Sequence, residues 1–506
     1  MNLRSVCRVT RRGPPAPSTR FSLASAIFAT VALLSSCSSD DESGHVNTTG
    51  AGGARSTGSG GNGTGGSATT GGGNPSGGSS GEGGAGTGGA SGAGGGDVPE
   101  AGIGGSGGQG GGPQTCDYTP TPAAATKPLK FQEITLMGVE TMPSGKTDGG
   151  RNGPIMIQFV PGKTNEFFLI QKGGGLQHMS IAPDATTATL IKSFTLDQIN
   201  RTQDCGLISF AFDPDFTTNK LIYFGHCDTA TSTKISRYTF TGDALTDRVD
   251  IMTWKRASGT NSWHTIGSIG FDADKNLWVV HGEFTGGAVA QSDTSNLGKL
   301  LRLVPSRQAG MGGSMPAPGT SPIGVWAKGF RSPWRAFLNS HNHFVVADVG
   351  PTSNEEVDVV TAAGQNFGWD GNKAGPCSGS CTSPVTYWRG GGNEDKYAAD
   401  GNAVTSARAG RAVWVGTEYG NCGNDRYADS LTGVVLFGDF FAGWVRGTVL
   451  DASGKMTTDK SLGYLTVVSS WTQAPDGYLY VTTFGGPYDS ADSPKDKGAL
   501  YRAMLQ

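Results

Sequence analysis

The chain has 506 residues, of which 83 are glycine and only 16% are charged. This glycine content is more than twice the protein average, so the composition cannot be uniform along the chain. With 39 basic against 42 acidic residues and no long run of like charge, the sequence argues against a nucleic-acid partner.

Residues 1–36 are typical of an export signal. Arginines between Arg4 and Arg20 precede an apolar run over residues 21–34, which is the pattern of a signal peptide and is too short to span a bilayer comfortably. Small residues then precede Cys37, and this arrangement resembles the lipobox at which bacterial lipoproteins are cleaved and acylated. The sequence therefore predicts an exported bacterial lipoprotein of the outer membrane, periplasm or cell surface. An ordinary secretory signal is the alternative.

Residues 37–115 form a second region, rich in Gly, Ser, Thr and Ala and almost without large apolar side chains. Such a segment cannot bury a core and is predicted to be a disordered linker. We expect it to separate the folded part of the chain from a lipid anchor on Cys37. Residues 116–506 are enough for one large all-β domain or two smaller ones.

An even number of cysteines lies in the region predicted to fold. They are Cys116, Cys205, Cys227, Cys377, Cys381 and Cys422. In an exported protein, disulfide bonds are the default for such a set. We predict that Cys205 pairs with Cys227 and that the other four pair among themselves. Metal binding by Cys377 and Cys381 is the alternative.

Short β-rich runs bounded by Gly, Pro, Asn and Asp recur along residues 116–506, and helical periodicity is scarce. A polar turn followed by an apolar, mostly aromatic-bearing strand occurs at residues 165–170, 219–224, 275–280, 341–346, 432–437 and 476–481. The spacing, roughly 65 residues per unit, matches a four-stranded propeller blade with its loops. The sequence therefore predicts an all-β, six-bladed β-propeller, with a β-sandwich or two small barrels as alternatives. In a propeller the functional cavity would lie at one end of the central channel.

Several blocks of sequence resemble one family. Residues 205–216 resemble its Gly-Leu-Leu-Gly-x-Ala-Phe-His-Pro-x-Phe stretch, and residues 326–335 resemble its Gly-x-Arg-Asn-Pro-x-Arg motif. Further blocks follow the family's order at residues 264–267, 270–275, 297–302, 348–351, 355–357 and 366–369. Over most of residues 129–502 the chain is thus similar to the glucose/sorbosone dehydrogenases, which are soluble quinoprotein propellers. The resemblance implies oxidation of an aldose or related alcohol with pyrroloquinoline quinone (PQQ) and Ca²⁺.

The resemblance also implies roles for individual residues. His264 matches the general base, because an imidazole can accept a hydroxyl proton at neutral pH, and Glu283 stands where the family has an aspartate that orients the histidine. Arg331 matches the arginine beside the reactive cofactor carbonyl. Asp204 and Ser332 occupy the positions of further cofactor contacts, Ser332 in place of an asparagine. The alternatives are a channel-lining structural histidine and a surface ion-pair arginine.

A calcium loop is the second implied feature. Gly350, Pro351 and Phe367 would donate carbonyl oxygens and Glu356 its carboxylate, which are the hard ligands that Ca²⁺ prefers. The alternative is an exposed acidic turn.

The sequence departs from the family where the cofactor's carboxylates should be paired. The family offers a lysine from the fifth blade and arginines before the last turn, whereas residues 439–443 and 467–471 contain no cation. Because unpaired buried charge is costly, Lys172, Arg335 or Arg446 would have to substitute. Two other hypotheses therefore stay open: a non-catalytic carbohydrate- or surface-binding propeller, and a calcium-dependent hydrolase with His264 as base. The expected partner is a small sugar or alcohol, and the oligomeric state is not predicted.

Overall fold

A computed structural model describes residues 116–122, 124–125, 127–139, 153–256, 262–351, 354–372, 374–388, 412–484 and 498–506. The predicted signal peptide (1–36), the predicted linker (37–115) and Cys37 lie outside the described residues. Within those ranges there is no helix with the length and apolar character needed to cross a membrane.

The described residues are almost entirely β-strands. The N-terminal strand is β1 (Leu129–Met137). One sheet then contains β2 (Pro154–Phe159), β3 (Glu166–Gln171), β4 (Gly175–Ile181) and β5 (Thr187–Thr195). The second sheet contains β6 (Leu207–Phe212), β7 (Leu221–Thr229), β8 (Ser232–Phe240) and β9 (Leu245–Lys255). The short helix α1 (Phe216–Asn219) connects β6 and β7. The third sheet contains β10 (Ile266–Phe271), β11 (Leu277–His281), β12 (Lys299–Pro305), β13 (Ser314–Pro316) and β14 (Val325–Lys328). The 3₁₀ helix Gly287–Gln291 lies between β11 and β12.

Three further sheets follow in the same way. The fourth contains β15 (Pro333–Leu338), β16 (Phe344–Asp348), β17 (Glu355–Val360) and β19 (Thr386–Trp388), while β18 (Gln365–Asn366) pairs back to β14. The fifth contains β20 (Val413–Glu418), β21 (Val434–Asp439), β22 (Trp444–Val449) and β23 (Lys460–Tyr464). The sixth contains β24 (Val468–Gln473), β25 (Leu479–Thr483) and β26 (Leu500–Leu505).

The N-terminal strand closes the ring. β1 pairs antiparallel with β26 and completes the sixth sheet, and its end also pairs in parallel with β5 of the first. The first strands of the six sheets, β2, β6, β10, β15, β20 and β24, contact one another in a closed cycle. These sheets are the blades of a six-bladed β-propeller, so the predicted fold is confirmed, and we number the blades 1 to 6 in the order given above.

The repeat found in the sequence has a definite place in each blade. Its six copies form the turn after the first strand together with the second strand, namely β3, β7, β11, β16, β21 and β25. These strands are buried along nearly their whole length. Both faces of a blade pack on neighbouring blades, and the hydrophobic clusters accordingly join residues of adjacent blades, as Phe168 of blade 1 and Phe212 of blade 2 do.

The first and second strands of each blade are antiparallel, and the segments flanking them bond to those of the next blade, as Leu207 N–H does to the Lys172 carbonyl and Glu283 N–H to the Arg331 carbonyl. The segments that precede a first strand and those that follow a second strand therefore meet at one end, which we call the upper end. Asp204, His264 and Arg331 each lie just before a first strand, and Glu283 follows β11. The fold thus brings these four residues to the same end of the channel.

The disulfide prediction is confirmed. Cys205 pairs with Cys227, and the remaining cysteines form the pairs Cys116–Cys422 and Cys377–Cys381. The Cys377–Cys381 bond excludes the alternative of metal binding by these two thiols.

Candidate active site

The side chains of His264 and Glu283 are in direct contact at the upper end. Nδ1 of His264 lies 2.5 Å from Oε1 of Glu283, and their side chains are 13% and 2% exposed. The other carboxylate oxygen of Glu283 accepts the backbone N–H of Gly287 at 2.6 Å. Because a carboxylate is an acceptor, Nδ1 must carry the proton, and the neutral ring then has its basic lone pair on Nε2.

The backbone of His264 has an unusual conformation that its neighbours hold in place. Its φ is +55°, in the left-handed region that costs a bulky residue free energy. Its N–H donates to Oδ2 of Asp204 at 2.8 Å, and its carbonyl accepts the N–H of Phe284 at 3.1 Å. Asp204 therefore positions the histidine loop. A Cβ on Gly282 would lie 2.3 Å from the His264 carbonyl oxygen, so only glycine permits this approach.

Arg331 joins the same constellation through its backbone. Its carbonyl accepts the N–H of Glu283 at 3.0 Å. Its guanidinium is buried, donates from Nη1 to the carbonyls of Val349 and Gly350 at 2.8 and 2.9 Å, and lies 5.5 Å from the ring centroid of Trp369. The carbonyl of Gly350, a predicted metal ligand, thus accepts a hydrogen bond from Arg331.

Three carboxylates lie together in blade 4. Oxygens of Asp348, Glu356 and Asp358 are all within 4.8 Å of one another, and all three residues are buried. Asp348 is opposite Glu356 in the β16–β17 register, and Glu356 and Asp358 share a face of β17 because they are two residues apart. We call Asp348, Glu356 and Asp358 the acid triad.

One carboxylate of the acid triad has no hydrogen-bond partner among the described residues. Asp348 accepts the backbone N–H groups of Arg331 and Ser332 at 2.8 and 2.6 Å, and Glu356 accepts that of Gly375. Within the described ranges, neither carboxylate oxygen of Asp358 has a hydrogen-bond partner. Buried polar groups normally have partners, so this pair of oxygens calls for one.

The charge of the triad explains what that partner could be. Burial raises the pKa of Asp348 to about 7, and burial together with neighbouring carboxylates raises the pKa values of Glu356 and Asp358 well above their usual range. The raised pKa values mean that these carboxyl groups cannot all be charged without a counter-charge, and a hard cation with oxygen ligands would supply it. The alternative of an exposed acidic turn is wrong, because Glu355, Glu356 and Asp358 are all buried.

The predicted calcium ligands are distributed differently from the triad. Glu356 belongs to the triad, and Pro351 lies half-buried in the β16–β17 loop. Phe367 follows β18 in the neighbouring sheet, where its N–H donates to the carbonyl of Lys328 and its ring stacks on Phe330 at 5.0 Å. The sequence analysis did not place Asp348 and Asp358 beside Glu356, although the spacing of Glu356 and Asp358 on one strand face was a usable signal.

The cations named as substitutes occupy three different places. Lys172 is buried at the upper end, where Nζ donates to the carbonyl of Gln203 and lies 5.5 Å from the ring centroid of Phe484. Arg335 is inside the central channel. Arg446 pairs with Asp459 through Nε at 2.6 Å on the outer strands of blade 5, so it cannot serve the channel mouth.

Aromatic rings stand where the family cations are missing. The ring centroid of Phe440 is 5.0 Å from that of Phe441 and 6.5 Å from that of Phe484. Asp439, which precedes them, uses its carboxylate to accept the N–H groups of Phe441 and Ala442 at 3.0 and 2.7 Å. The wall at blades 5 and 6 is therefore aromatic, with Lys172 beside it.

Comparison with known proteins places this geometry in context. HIPL1 protein of Arabidopsis thaliana is 35% identical over 128 residues, which are 21% of this chain and 18% of that protein. Quinoprotein glucose dehydrogenase B of Acinetobacter calcoaceticus is 24% identical over 244 residues, 41% of this chain and 48% of that protein. The chain thus covers less than two thirds of the length of either relative.

A solved structure and a family model point to the same family as these relatives. The PQQ-bound aldose sugar dehydrogenase of Streptomyces coelicolor superposes with a TM-score of 0.54 at 16% identity, over 76% of this chain and all of that one. A family model described as "Glucose / Sorbosone dehydrogenase" matches residues 152–487, which is more than half of the sequence. The chain therefore belongs to the glucose/sorbosone dehydrogenase family.

Proposed function

We propose that this protein is a quinone-dependent dehydrogenase of aldoses or related alcohols. The observation that carries the proposal is the contact of 2.5 Å between His264 and Glu283 at the channel mouth. The family of this chain, and its similarity to a quinoprotein glucose dehydrogenase, also support the proposal.

His264 supplies the base in this proposal. Its Nε2 lone pair takes the proton of the substrate hydroxyl, and the buried carboxylate of Glu283 stabilises the imidazolium that forms. PQQ, when bound, supplies the electron-accepting chemistry. Arg331, whose guanidinium is held by the carbonyls of Val349 and Gly350, would supply fixed positive charge beside the cofactor.

Aromatic side chains and a nearby cation at the upper end support a planar anionic cofactor. Phe440 and Phe441 are partly exposed there, and Lys172 lies 5.5 Å from the ring centroid of the buried Phe484 beside them. Lys172 and Arg331 would take the place of the family's cations from blades 5 and 6. The missing cations also favour a second candidate, a propeller that binds carbohydrate without oxidising it.

We also propose that the acid triad holds Ca²⁺. Three oxygen donors within 4.8 Å, one of them without a partner in the described residues, are the donor set of a hard cation. Among the other predicted ligands, Gly350 and Pro351 lie in the loop that leads from Asp348 to Glu356.

Reconstitution tests the activity. The purified protein is incubated with PQQ and Ca²⁺, and dye reduction is followed with a panel of aldoses and simple alcohols, with a chelator-treated sample as control. Substrate-dependent reduction is the expected result. Sugar binding without reduction would favour the binding propeller, turnover by hydrolysis would favour the calcium-dependent hydrolase, and absence of quinone binding would end the dehydrogenase proposal.

Export and lipid anchoring through Cys37 complete the proposal. Three disulfides in the described residues support folding in an oxidising compartment. Fractionation of cells that express the full chain tests the anchor: the protein should sediment with membranes, and a Cys37→Ser variant should not. Equal distribution of both proteins would leave an ordinary secretory signal as the explanation.

A further inference from the structure

A cavity of about 20 Å³ lies on the propeller axis. Its walls come from the first strands of blades 1, 3, 4, 5 and 6, and they include Met156, Ser268, Arg335, Gly416, Ser470 and Trp471. This volume is close to that of one water molecule or one monatomic ion. A single small occupant therefore fits the cavity better than a larger organic molecule.

Arg335 crosses the channel at this cavity. It starts from β15 and donates from Nε to the carbonyl of Ser469 at 2.6 Å, from Nη1 to that of Ile208 at 3.2 Å and from Nη2 to that of Ile155 at 3.3 Å. These acceptors belong to blades 6, 2 and 1. A guanidinium has five N–H donors, so the three described bonds leave two donors for another partner.

Among the described residues, no acid balances the charge of Arg335. Burial alone lowers the pKa of the guanidinium to about 9, and no charged neighbour contributes, so the group remains a cation at neutral pH. None of the residues that line the cavity is acidic. A buried charge without a counter-charge is costly, and the cavity beside it has room for one.

The two guanidinium donors of Arg335 that have no partner among these bonds and its unbalanced charge both call for an acceptor that carries negative charge.

We propose that the axial cavity binds one small monovalent anion, of which chloride is the physiological example, with Arg335 as its main ligand. The anion neutralises the guanidinium and so stabilises the closed ring of blades. This site is independent of the proposed oxidation chemistry, because its walls are the first strands below the upper end. The competing occupant is a water molecule, with the charge balanced by carbonyl dipoles and by the ring of Trp334, whose centroid is 4.3 Å from the guanidinium.

Bromide locates the ion directly. Crystals of the unmodified protein prepared in bromide are measured at the bromine absorption edge. An anomalous peak beside the Arg335 guanidinium is expected. A normal water peak without anomalous signal at this position would overturn the proposal.

Thermal unfolding tests whether binding matters in solution. At equal ionic strength, chloride in place of gluconate should raise the Tm of the unmodified protein by about 2 °C. The Arg335→Met variant should lose this response. Arg237→Met is the matched control. Arg237 is likewise buried and donates to backbone carbonyls, those of Ser306 and Gln308, but it lies on β8, away from the axial cavity. It should keep the chloride response.

The two measurements together decide the outcome. A bromide peak without any chloride effect on the Tm of the unmodified protein would mean an adventitious ion only and would overturn the stabilising role. An equal chloride effect on the Tm of Arg335→Met and of Arg237→Met would also overturn the stabilising role. If Arg335→Met fails to fold, Arg335→Lys retains the charge, and the bromide experiment on the unmodified protein still gives the answer.

Discussion

At His264, the main chain and the side chain are held by different neighbours. Asp204 accepts the backbone N–H at 2.8 Å, which supports a φ of +55°, and Glu283 accepts Nδ1–H. Asp204 thus holds the main chain of His264, and Glu283 holds its imidazole ring. Together they fix the direction in which Nε2 can take a proton.

We therefore expect His264→Ala to lower kcat for the substrate found in the dye-reduction assay by about 10²- to 10⁴-fold, since a general base contributes that much. Glu283→Gln keeps the size of the side chain but removes the charge that stabilises the imidazolium, so a smaller loss is expected. His341→Asn is the control, because His341 is exposed in the β15–β16 turn at the other end. Unchanged turnover in His264→Ala would show that the base lies elsewhere.

The acid triad predicts opposite effects of one substitution with and without calcium. In the absence of Ca²⁺, Asp358→Asn should raise Tm, because a neutral amide replaces one of three crowded buried acids whose ionisation burial and the neighbouring acids disfavour. Added Ca²⁺ should raise the Tm of the unmodified protein by a few degrees and that of the variant much less. Asp243→Asn, at a side chain that is 93% exposed, should behave like the unmodified protein. A full calcium response in Asp358→Asn would exclude the triad as the site.

His281 gives the protein a pH dependence of stability. Its ring is buried, stacks on Trp254 at 4.9 Å, donates from Nδ1 to the carbonyl of Gly282 at 2.7 Å and contacts the hydroxyl of Thr233 through Nε2 at 2.6 Å. Burial lowers its pKa to about 4, whereas a histidine in the unfolded chain has a pKa of about 6.5. The stabilisation is therefore complete above pH 6.5 and is lost as the pH falls towards 4.

Between pH 7 and pH 4.5, this group should reduce the free energy of unfolding by about 2 kcal/mol. Urea unfolding of His281→Gln should show a correspondingly weaker dependence on pH than that of the unmodified protein. His341→Asn again serves as the exposed control. Parallel pH profiles for the unmodified protein and His281→Gln would contradict the assignment.

Among the elements, β1 has the most distant partners. It pairs with β26 and β5, and the segment before it is bonded to the β20–β21 loop by Cys116–Cys422 and by the backbone pair Asp117–Asn421. The disulfide joins residues 306 apart in sequence, whereas Cys377–Cys381 joins residues 4 apart. Loop-closure entropy makes the first bond the more stabilising one.

The double variant Cys116→Ser/Cys422→Ser should therefore lose about 2–5 kcal/mol of unfolding free energy, and Cys377→Ser/Cys381→Ser at most about 2 kcal/mol. Urea midpoints of the two oxidised variants measure the order. If the Cys377–Cys381 variant were the less stable, closure of the ring by the N-terminal segment would not be a main source of stability.

Individual elements differed in how well the sequence predicted them. The second strand of every blade was predicted, because a polar turn followed by a continuous buried run is a local signal. The fourth strands carry no such run: β9 has mixed burial along its 11 residues. The place of β1 was not predicted either, since its partner β26 is more than 350 residues away and no local pattern identifies it.

At the scale of the whole molecule, the ring decides what the channel contains. Arg335 was noted as one of three cations that could reach the cofactor, yet its donors reach carbonyls of blades 1, 2 and 6 across the axis. Lys172 from blade 1 lies beside Phe484 from blade 6. These neighbours come from opposite ends of the sequence and meet only because the last blade closes on the first.

The sequence by itself determined the fold class, the number of blades and the Cys205–Cys227 pair, and its family resemblance singled out His264, Glu283 and Arg331. These follow from local periodicity, cysteine parity and ordered motifs, all of which are written along the chain. Only the tertiary structure decided that Asp348 and Asp358 join Glu356 in one buried group, that aromatic rings replace the family's cations at blades 5 and 6, and that Arg335 lies on the axis. The reason is physical: the direction of a side chain relative to residues on other blades depends on how six sheets pack into a ring, and this packing is a property of the closed assembly rather than of any segment.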